Sequence, residues 1–590
     1  MQRRSLEVFS VAVLALVAIA VFYRVYSFGQ ERFFTVDEYQ YAHATWLVSE
    51  GERPYVDFYE HHFPLSYVAH APLVWTDGAF ADKVLRLRAL VFGYLLGVSL
   101  LLGWATWRRT RDRCASLLAL AFPPAFGFSL MSAVDYRADN FGAYLFLGGW
   151  CLLDANRAES GKRGYAFLGG IALGLSVLMT QKMIFVAGAS ALLALAYDRF
   201  RASRSPGRES ALVVFPAWFC LGVALILVSA LALGAAAGIL SQGWEITILQ
   251  AIDHEAFYPA VSWSQYAGPF FRETPVSTVL VLLAAILFFV LSRSVFWAIA
   301  LGVVLLGGTL LKAQYPYNYV LLCLLVAFCA VRGWALLVQR WQPAGDLLNR
   351  AKPLFYLFPI LLVPDQLEFV AHATSNEHQL AILSKIERFS GESDVVIDNS
   401  GGALFRPHGS YYYQHGDAHR DMFSDYFENH LVEDYRRSQG LLWIIDYRLL
   451  DLPPNVHQYF LDHYVRVDGS LFALGFQTPR THEVPLLVER EVIRPGDYFV
   501  FPAPVPLRAE LRNERSEVRE FDLEIDGVPV TTSMIRLEEG IHRVEVLPDS
   551  PAYFVTAVSP EAFLRSEEDR FARELDGAKA YQLLFEYDPR

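Results

Sequence analysis

The sequence predicts a polytopic α-helical membrane protein of about eleven transmembrane helices, with a water-soluble α/β plus β-sandwich-like region at its C-terminal end. Of the 590 residues, 54% are hydrophobic and 19% are charged, whereas a soluble domain is about a quarter charged. The mean hydropathy is +0.27. A net charge of −12, without a basic tract that interleaves aromatic residues, argues against nucleic-acid binding.

The membrane domain is predicted to occupy residues 1–371. Its first apolar run follows Arg3 and Arg4 and continues through Tyr23 and Tyr26 without a small-residue cleavage site, so we expect an uncleaved helix and not a signal peptide. A polar break at 180–182 divides the fifth span from the sixth. The predicted spans are 7–28, 84–106, 114–131, 139–155, 164–180, 183–197, 211–239, 276–292, 295–311, 318–337 and 353–371.

Loops rich in arginine and lysine set the predicted orientation. Those at 107–113, 156–163, 198–210 and 332–352 fall on the same side as the basic N-terminus, which is the cytoplasmic side by the positive-inside rule. The C-terminal region then lies outside, together with the chain's most unusual polar segments. These segments are 29–83, 132–139, 181–182, 240–275 and 312–319.

Two soluble domains are predicted after the membrane domain. Residues 372–482 mix helical spacing with short buried strands, which indicates an α/β domain. Residues 483–590 alternate short strands with turns such as Asp526-Gly527, which indicates a β-sandwich-like domain. Neither contains a nucleophile elbow, a P-loop or a metal motif, so scaffolding or recognition is the favoured interpretation. This region also lacks cysteine, since the five cysteines lie in or beside apolar runs: Cys114, Cys151, Cys220, Cys323 and Cys329.

The outer loop 29–83 carries an adjacent acid pair, Asp37 and Glu38, directly after the first span. The non-functional interpretation is that both are ordinary solvated acids beside a helix end. Amphipathic aromatic residues surround the pair, however, and such a loop lies on the membrane surface. A carboxylate held at that interface can act as a general base toward a hydroxyl, because partial desolvation raises its proton affinity. We therefore expect both acids to be catalytic.

A second candidate cluster is "DYRADN" at the mouth of the fourth span, which contains Arg137 and Asp139. An interfacial anchor with a helix-capping acid is the alternative. The functional interpretation uses Arg137 as a fork for phosphate oxygens, with Asp139 orienting it or assisting the acid of the outer loop. Lys182 and Lys312 add outer-face cations that suit a phosphate headgroup, although snorkelling lysines explain them equally well.

The outer loop also contains Glu60, His61 and His62. Adjacent histidines rarely bind one ion together and no third ligand is suitably spaced, so we predict no metal site there. A hydrogen bond from His62 to a substrate phosphate is favoured instead. A polar cluster at 253–255 is best explained as solvated loop sequence.

These motifs are similar to those of the polyprenyl-phosphate-sugar-dependent glycosyltransferases with the GT-C fold. The order is an Asp-Glu pair, "GERPYVDFYEHHFPL", "RAD" at 137–139 and "YPYNYVLL" near the tenth span. Within the fold the chain most resembles the protein-mannosyltransferase-like and aminoarabinose-transferase-like group, labelled family 39. The resemblance covers most of residues 1–370.

The resemblance implies inverting transfer of a sugar from a polyprenyl-phosphate donor, with Asp37 as the base. It implies that Arg137 and Tyr319 contact the donor beside Asp139. Where relatives have Lys-Pro-Pro or His-Pro-Pro, this chain has His62-Phe63-Pro64, so His62 would replace a phosphate-contacting cation. Further candidates for contacts to the donor or the acceptor are Tyr41, Tyr59, Glu60 and His61.

The implied partners are a polyprenyl-phosphate-linked sugar, the lipid bilayer, and a glycan, lipid or protein acceptor. No cofactor is certain, and a divalent metal is the weaker alternative. The implied location is a bacterial inner membrane, with the N-terminus cytoplasmic and the C-terminal domains periplasmic or extracellular. A ligase or polymerase of lipid-linked glycans remains the enzymatic alternative. A transporter or a membrane scaffold is disfavoured, because the spans are nearly free of charge and the polar residues gather on one face.

Overall fold

The structure, a computed structural model, describes most of the chain. The described residues are 2–158, 163–203, 209–250, 262–311, 314–341, 346–364, 366–367, 375–413, 417–445, 448–449, 452–468, 470–481, 484–503 and 521–563. Within them, a helical region is followed by a mixed region of short helices and strands.

The helical region begins with ten helices that correspond to the first seven predicted spans and the outer loop. They are α1 (Gln2–Glu31), α2 (Val36–Ser49), α3 (Leu65–Val74), α4 (Phe80–Thr110), α5 (Arg113–Ala121), α6 (Gly127–Ala133), α7 (Ala138–Ala158), α8 (Arg163–Met179), α9 (Lys182–Ser203) and α10 (Glu209–Ala236). The later α-helices of this region are Leu240–Trp244, Trp263–Glu273, Pro275–Ser292, Val295–Leu310, Val320–Arg340 and Asp346–Ala351.

Six of the described helical segments are long and apolar enough to cross a membrane, which makes the chain a multi-pass membrane protein. They are Arg4–Glu31, Phe80–Thr110, Lys182–Phe200, Pro216–Ala236, Pro275–Ser292 and Pro316–Arg340. The last of these is the central one, because 72% of its apolar window is buried inside the protein. The described parts of the remaining predicted spans are also mainly helical, but the number eleven stays a prediction.

Proline explains why two predicted spans are not continuous α-helices. The span 114–131 is divided into α5 and α6 by a 3-10 turn, Pro123–Ala125, that begins with two prolines. The span 353–371 contains the 3-10 helix Lys352–Leu362, which also carries two prolines. Proline lacks the amide hydrogen that an α-helix needs and clashes with the preceding turn.

Glycine allows α8 and α10 to pack closely. A Cβ atom on Gly170 would lie 2.2 Å from the carbonyl oxygen of Phe219, and one on Gly222 would lie 2.3 Å from that of Phe167. Both distances are far below a normal contact. Small residues at such crossings let the helix backbones approach, which is how membrane helices gain packing energy.

The outer loop contains two helices, α2 and α3, joined by an irregular segment. The sequence Thr35-x-x-Glu38 starts α2, since the amide of Thr35 donates to Glu38 Oε2 at 2.9 Å. Most side chains of α2 are buried. Helix α2 is therefore a folded part of the molecule that holds its two acids in fixed positions.

The C-terminal region contains helices and two sheets. Its α-helices are Glu377–Phe389, Asp417–Met422, Ser424–Asn429, Leu431–Ser438 and Pro454–His463. Its strands are β1 (Val396–Ile397), β2 (Leu442–Ile444), β3 (Tyr464–Asp468), β4 (Leu471–Gln477), β5 (Leu486–Val492), β6 (Gly496–Ala503), β7 (Leu523–Ile525), β8 (Val528–Pro529), β9 (Met534–Leu537), β10 (Gly540–Val546) and β11 (Ala552–Thr556). The predicted turn Asp526-Gly527 joins β7 to β8 with positive φ at both residues.

In both sheets the order of neighbouring strands differs from their order in the sequence. One contains seven strands in the order β1-β2-β4-β11-β6-β9, with β3 also paired to β4. The other contains four strands in the order β5-β10-β7-β8. The predicted domain boundary at 482 falls between β4 and β5, and the pairing of β4 with β11 links residues on either side of it. The two-domain division of this region stays a prediction.

Candidate active site

The acid pair lies in the first turn of α2, where its two side chains point in different directions. Successive residues of an α-helix are about 100° apart around the axis, so neighbours cannot share one environment. Negative charge in a first turn is favoured by the unpaired amides of the helix N-terminus. The two carboxylates consequently have the same backbone setting and different partners.

Glu38 points inward and is fully enclosed. Arg88 of α4 donates to it twice, from Nε to Oε1 at 2.8 Å and from Nη2 to Oε2 at 2.7 Å. The amide of Tyr136 adds a bond to Oε1 at 3.0 Å. Burial alone would raise the pKa of Glu38, but the charge and hydrogen bonds of Arg88 outweigh it and the pKa lies below its ordinary value. Its oxygens are thus occupied by protein donors.

Asp37 points outward and keeps 30% of its side chain exposed. Its Oδ2 accepts from Nη1 of Arg137 in a buried ion pair, and its Oδ1 lies 4.0 Å from Nη2 of Arg448. Burial would raise the pKa of Asp37, but Arg137 and then Arg448 lower it below the ordinary value. Asp37 is therefore an ionised, oriented carboxylate with an open side.

Asp139 lies between two cations at the start of α7. Its carboxylate is 3.7 Å from Nη2 of Arg137 and 3.3 Å from Nζ of Lys182, and it accepts from Thr180 Oγ1 at 3.1 Å. Lys182 also donates to Oδ1 of Asn318 at 3.1 Å. The structure thus brings together four predicted site residues from three separate segments: Asp37, Arg137, Asp139 and Lys182.

Tyr317 completes this cluster in a way that the sequence did not indicate. The guanidinium carbon of Arg137 lies 3.5 Å from the centre of its ring, and Nζ of Lys182 lies 4.9 Å from it. Such cation–π contacts hold a cation without consuming its hydrogen-bond donors. Tyr319, the tyrosine selected from the sequence, is buried and donates to Gly308 O at 3.3 Å. Nothing in the sequence "YPYNY" indicates which of its tyrosines contacts the cluster.

The segment at 60–62 is tied to the same region through Tyr41. Glu60 Oε1 lies 2.7 Å from Nδ1 of His62, whose Nε2 lies 3.0 Å from the hydroxyl of Tyr41. The carbonyl of His61 accepts from Gln181 at 2.9 Å. Tyr59 packs instead against aromatic side chains of the C-terminal region, with its ring centre 5.0 Å from that of Tyr412.

The positions of the side chains at 60–62 are more compatible with a metal site than their adjacency in the sequence suggested. One potential ligand atom from each of Glu60, His61 and His62 lies within 4.8 Å of the other two. Glu60 already accepts from the amides of both histidines, at 2.9 and 3.1 Å, and from Nδ1 of His62. A cation would have to displace the last of these bonds, so the present arrangement is a hydrogen-bonded one.

Two further predictions concern residues outside those described by the structure. Lys312 is one, and the polar cluster at 253–255 is the other. Arg448, in contrast, lies within the described residues but was not predicted from the sequence, because no motif marks its region. Its only sequence signal is weak: Asp-Tyr-Arg occurs at 135–137 and again at 446–448, and the two arginines approach the same carboxylate.

Comparison with known proteins gives no match to a protein-family model and none to a curated protein. Solved structures do match. ArnT from Cupriavidus metallidurans in its apo state is 12% identical, with a TM-score of 0.54 over 77% of this chain and 95% of ArnT. The same enzyme bound to undecaprenyl phosphate is 12% identical, with a TM-score of 0.55 over 79% and 97% of the two chains. This agreement over nearly the whole of ArnT shows that the chain has the GT-C fold.

Proposed function

We propose that this protein is a membrane glycosyltransferase that moves a sugar from a polyprenyl-phosphate donor to an acceptor, with inversion and with Asp37 as the base. The observation that carries the proposal is the Asp37–Arg137 pair. It joins an ionised carboxylate with an open side to a buried guanidinium. Within the described residues, Nε of Arg137 has no hydrogen-bond acceptor. A buried donor without an acceptor is costly, and a substrate oxygen would satisfy it.

The cations of the cluster suit the phosphate of the donor. Arg137 and Lys182 lie on either side of Asp139 and share the face of Tyr317. In the proposal Asp139 orients these cations, Lys312 adds positive charge, and His62 contacts the phosphate. Positive charge stabilises the phosphate as a leaving group, so no strong general acid is needed.

The proposed reaction exchanges one carbon–oxygen bond for another. The acceptor oxygen attacks the anomeric carbon from the side opposite the phosphate, and the bond to the phosphate oxygen breaks with its electron pair. Asp37 takes the proton that the acceptor loses. A low pKa is compatible with this role, because the acceptor hydroxyl becomes strongly acidic as it bonds to an oxocarbenium-like carbon. Glu38 acts in the proposal by positioning α2 and does not contact the substrate.

The fold supports the proposal by analogy. ArnT has been solved with bound undecaprenyl phosphate, and a shared fold raises the expectation of a related donor without proving it. Location in a bacterial inner membrane, with the site and the C-terminal region on the outer face, belongs to the same proposal. It rests on the distribution of the basic loops and the positive-inside rule.

Asp37→Asn tests the proposal directly. Membranes that contain the protein and supply lipid, glycan and protein acceptors are incubated with undecaprenyl-phosphate-linked hexoses, pentoses and aminopentoses, and the release of undecaprenyl phosphate is followed by mass spectrometry. We expect the release catalysed by the wild type to fall by about 10²- to 10⁴-fold, which is the usual contribution of a general base.

The matched control is Asp57→Asn, which removes a carboxylate of the same outer segment that pairs with exposed Arg53. It should keep wild-type activity. Full transfer by a normally folded Asp37→Asn variant would contradict the proposal. Release of a lipid pyrophosphate from a lipid-linked oligosaccharide, with no reaction of the monosaccharide donors, would favour the glycan ligase instead.

A further inference from the structure

The C-terminal region supplies one of the charges at the candidate active site. Arg448 is 8% exposed, and its Nη2 lies 4.0 Å from Oδ1 of Asp37, on the opposite oxygen from the one that Arg137 contacts. Its Nη1 donates to the carbonyl of Asn399 at 3.4 Å. Arg448 thus spans from its own region to the acid of α2.

A rigid turn supports the contact between Arg448 and Asn399. The buried carboxylate of Asp398 accepts from the amides of Ser400, Gly402 and Ala403 at 2.7, 2.9 and 2.9 Å. These bonds fix the backbone that follows Asp398. The carbonyl that holds Arg448 is therefore part of an ordered loop.

The same loop is seated tightly on α2. Gly401 has a φ of +85°, and a Cβ atom there would lie 2.9 Å from Cα of Gln40. Further along, Nδ1 of His43 lies 2.6 Å from the carbonyl of Leu404, and its Nε2 lies 3.0 Å from Nδ1 of His408. Close packing of this kind fixes the position of one element against the other.

We propose that Arg448 is a positioning residue for Asp37, so that the candidate active site is complete only when the C-terminal region is docked on α2. The inference rests on the proposed function, in which Asp37 is the base. Arg137 donates to one carboxylate oxygen of Asp37, and the charge of Arg448 lies 4.0 Å from the other. They keep Asp37 ionised and limit its rotation, while its exposed side faces the acceptor.

Charged or titratable groups of several elements interact with Asp37. Arg137 before α7, Arg448 of the C-terminal region and His62 of the outer loop each lower its pKa, and Tyr41 of α2 also interacts with it. Arg448 is second to Arg137 among them. An opposite charge at this range commonly lowers the pKa of a carboxyl by about one unit or more, so its removal should be measurable.

The test compares Arg448→Gln, Arg448→Lys and the control Arg437→Gln in the full-length protein. Arg437 is an exposed arginine of the same region whose ion pairs are with Glu433 and Asp434. A hydrophobic carbodiimide labels protonated carboxyls, and the extent of labelling of Asp37 is measured by peptide mass spectrometry from pH 3 to pH 7, taken as roughly the range of carboxyl titration.

In Arg448→Gln the labelling of Asp37 should begin about one pH unit higher than in the wild type. In the pH–rate profile for transfer, the fall in rate at low pH should shift in the same direction. The kcat should fall about tenfold, with little change in KM for the donor. Arg448→Lys should recover most of both effects, since it keeps the charge, and Arg437→Gln should match the wild type.

An unshifted labelling profile in Arg448→Gln would overturn the assignment of Arg448, even if the wild type transfers sugar. The labelling needs no donor, so a shifted profile in a protein that transfers no sugar would locate the failure in the proposed function. If Arg448→Gln also undocks the C-terminal region, Arg448→Lys still decides, because a retained charge without recovery of the profile contradicts the proposal.

Discussion

The inner and outer faces of α2 carry neighbouring acids that the fold uses differently. On the inner face, Glu38 and Arg88 have side chains that are 0% and 1% exposed. On the outer face, Arg137 is almost as enclosed, at 5%, but Asp37 is 30% exposed. Both are carboxylate–guanidinium pairs. The difference lies in which partner remains accessible.

This difference separates a sealed ion pair from one that is open on one side. A sealed ion pair repays its desolvation only when every hydrogen bond is made, so its main use is to fix one arrangement of the chain. Glu38 and Arg88 do this by joining α2 to α4 and to the backbone at Phe33. A pair with one open carboxylate can instead exchange a proton with a ligand.

The largest expected effect is on the inner face. Arg88→Met leaves Glu38 buried without its cation, which should lower the free energy of unfolding by about 3–5 kcal/mol. The midpoint of thermal unfolding in detergent should fall, while Asp37→Asn should lower it much less, because Asp37 is 30% exposed and Asp139 remains 3.7 Å from Arg137. Adding Glu38→Gln to Arg88→Met should restore part of the loss. Equal midpoints for Arg88→Met and Asp37→Asn would remove the distinction between the two faces.

Arg137→Lys tests the outer face with a smaller effect. The substitution keeps the charge but loses the planar fork of donors, including the Nε that has no acceptor among the described residues. We expect the KM for a polyprenyl-phosphate sugar to rise about 30-fold, or about 2 kcal/mol, at an unchanged midpoint of unfolding. The control is Arg53→Lys, in an exposed pair of the outer segment. A loss of stability without a change in KM would assign Arg137 to structure.

A third, smaller effect concerns the side of α2 that meets the C-terminal region. Burial lowers the pKa of His43 to about 4, and burial beside His43 lowers that of His408 as well. The ring of Tyr413 packs on both, and an undocked histidine protonates near its ordinary value of ~6.5. Between pH 6.5 and 4 the undocked form therefore binds more protons, and docking weakens as the pH falls.

At pH 6 the loss from His43 alone should be about 1 kcal/mol relative to pH 8. Limited proteolysis across this range should show increasing cleavage between the C-terminal region and α2. His43→Gln should flatten the pH dependence, whereas the exposed control His378→Gln should not. A pH-independent cleavage pattern in the wild type would contradict the role of these histidines.

Much of the candidate site could be predicted, because the predicted topology assigns the polar segments to one side of the membrane before any contact between them is known. Asp37, Arg137 and Lys182 lie in separate segments, and the basic loops predict that these segments share one face of the membrane. Confinement to one surface makes their meeting probable without knowledge of distances. The helical architecture followed from the apolar runs for a similar reason, since a bilayer permits few backbone solutions.

Other features depend on contacts that no local pattern encodes. Glu38 resembles Asp37 in the sequence, and only the position of Arg88, fifty residues later, encloses it. Tyr317 and Tyr319 are equivalent in a run of alternating tyrosines until the 3-10 turn Pro316–Tyr319 orients them. Arg448 lies in a region without a motif.

By itself the sequence determined that the chain enters a membrane and which acid pair to examine, and it predicted one shared side for the polar segments, because hydropathy and charge act at the level of whole segments. Only the tertiary structure decided which acid of the pair remains open and which cations reach it. That choice depends on the rotation of α2 and on a docked C-terminal region. The first is set by contacts of Glu38 with Arg88 and Tyr136, which are 50 and 98 positions away, and the second by contacts between residues more than 300 positions apart.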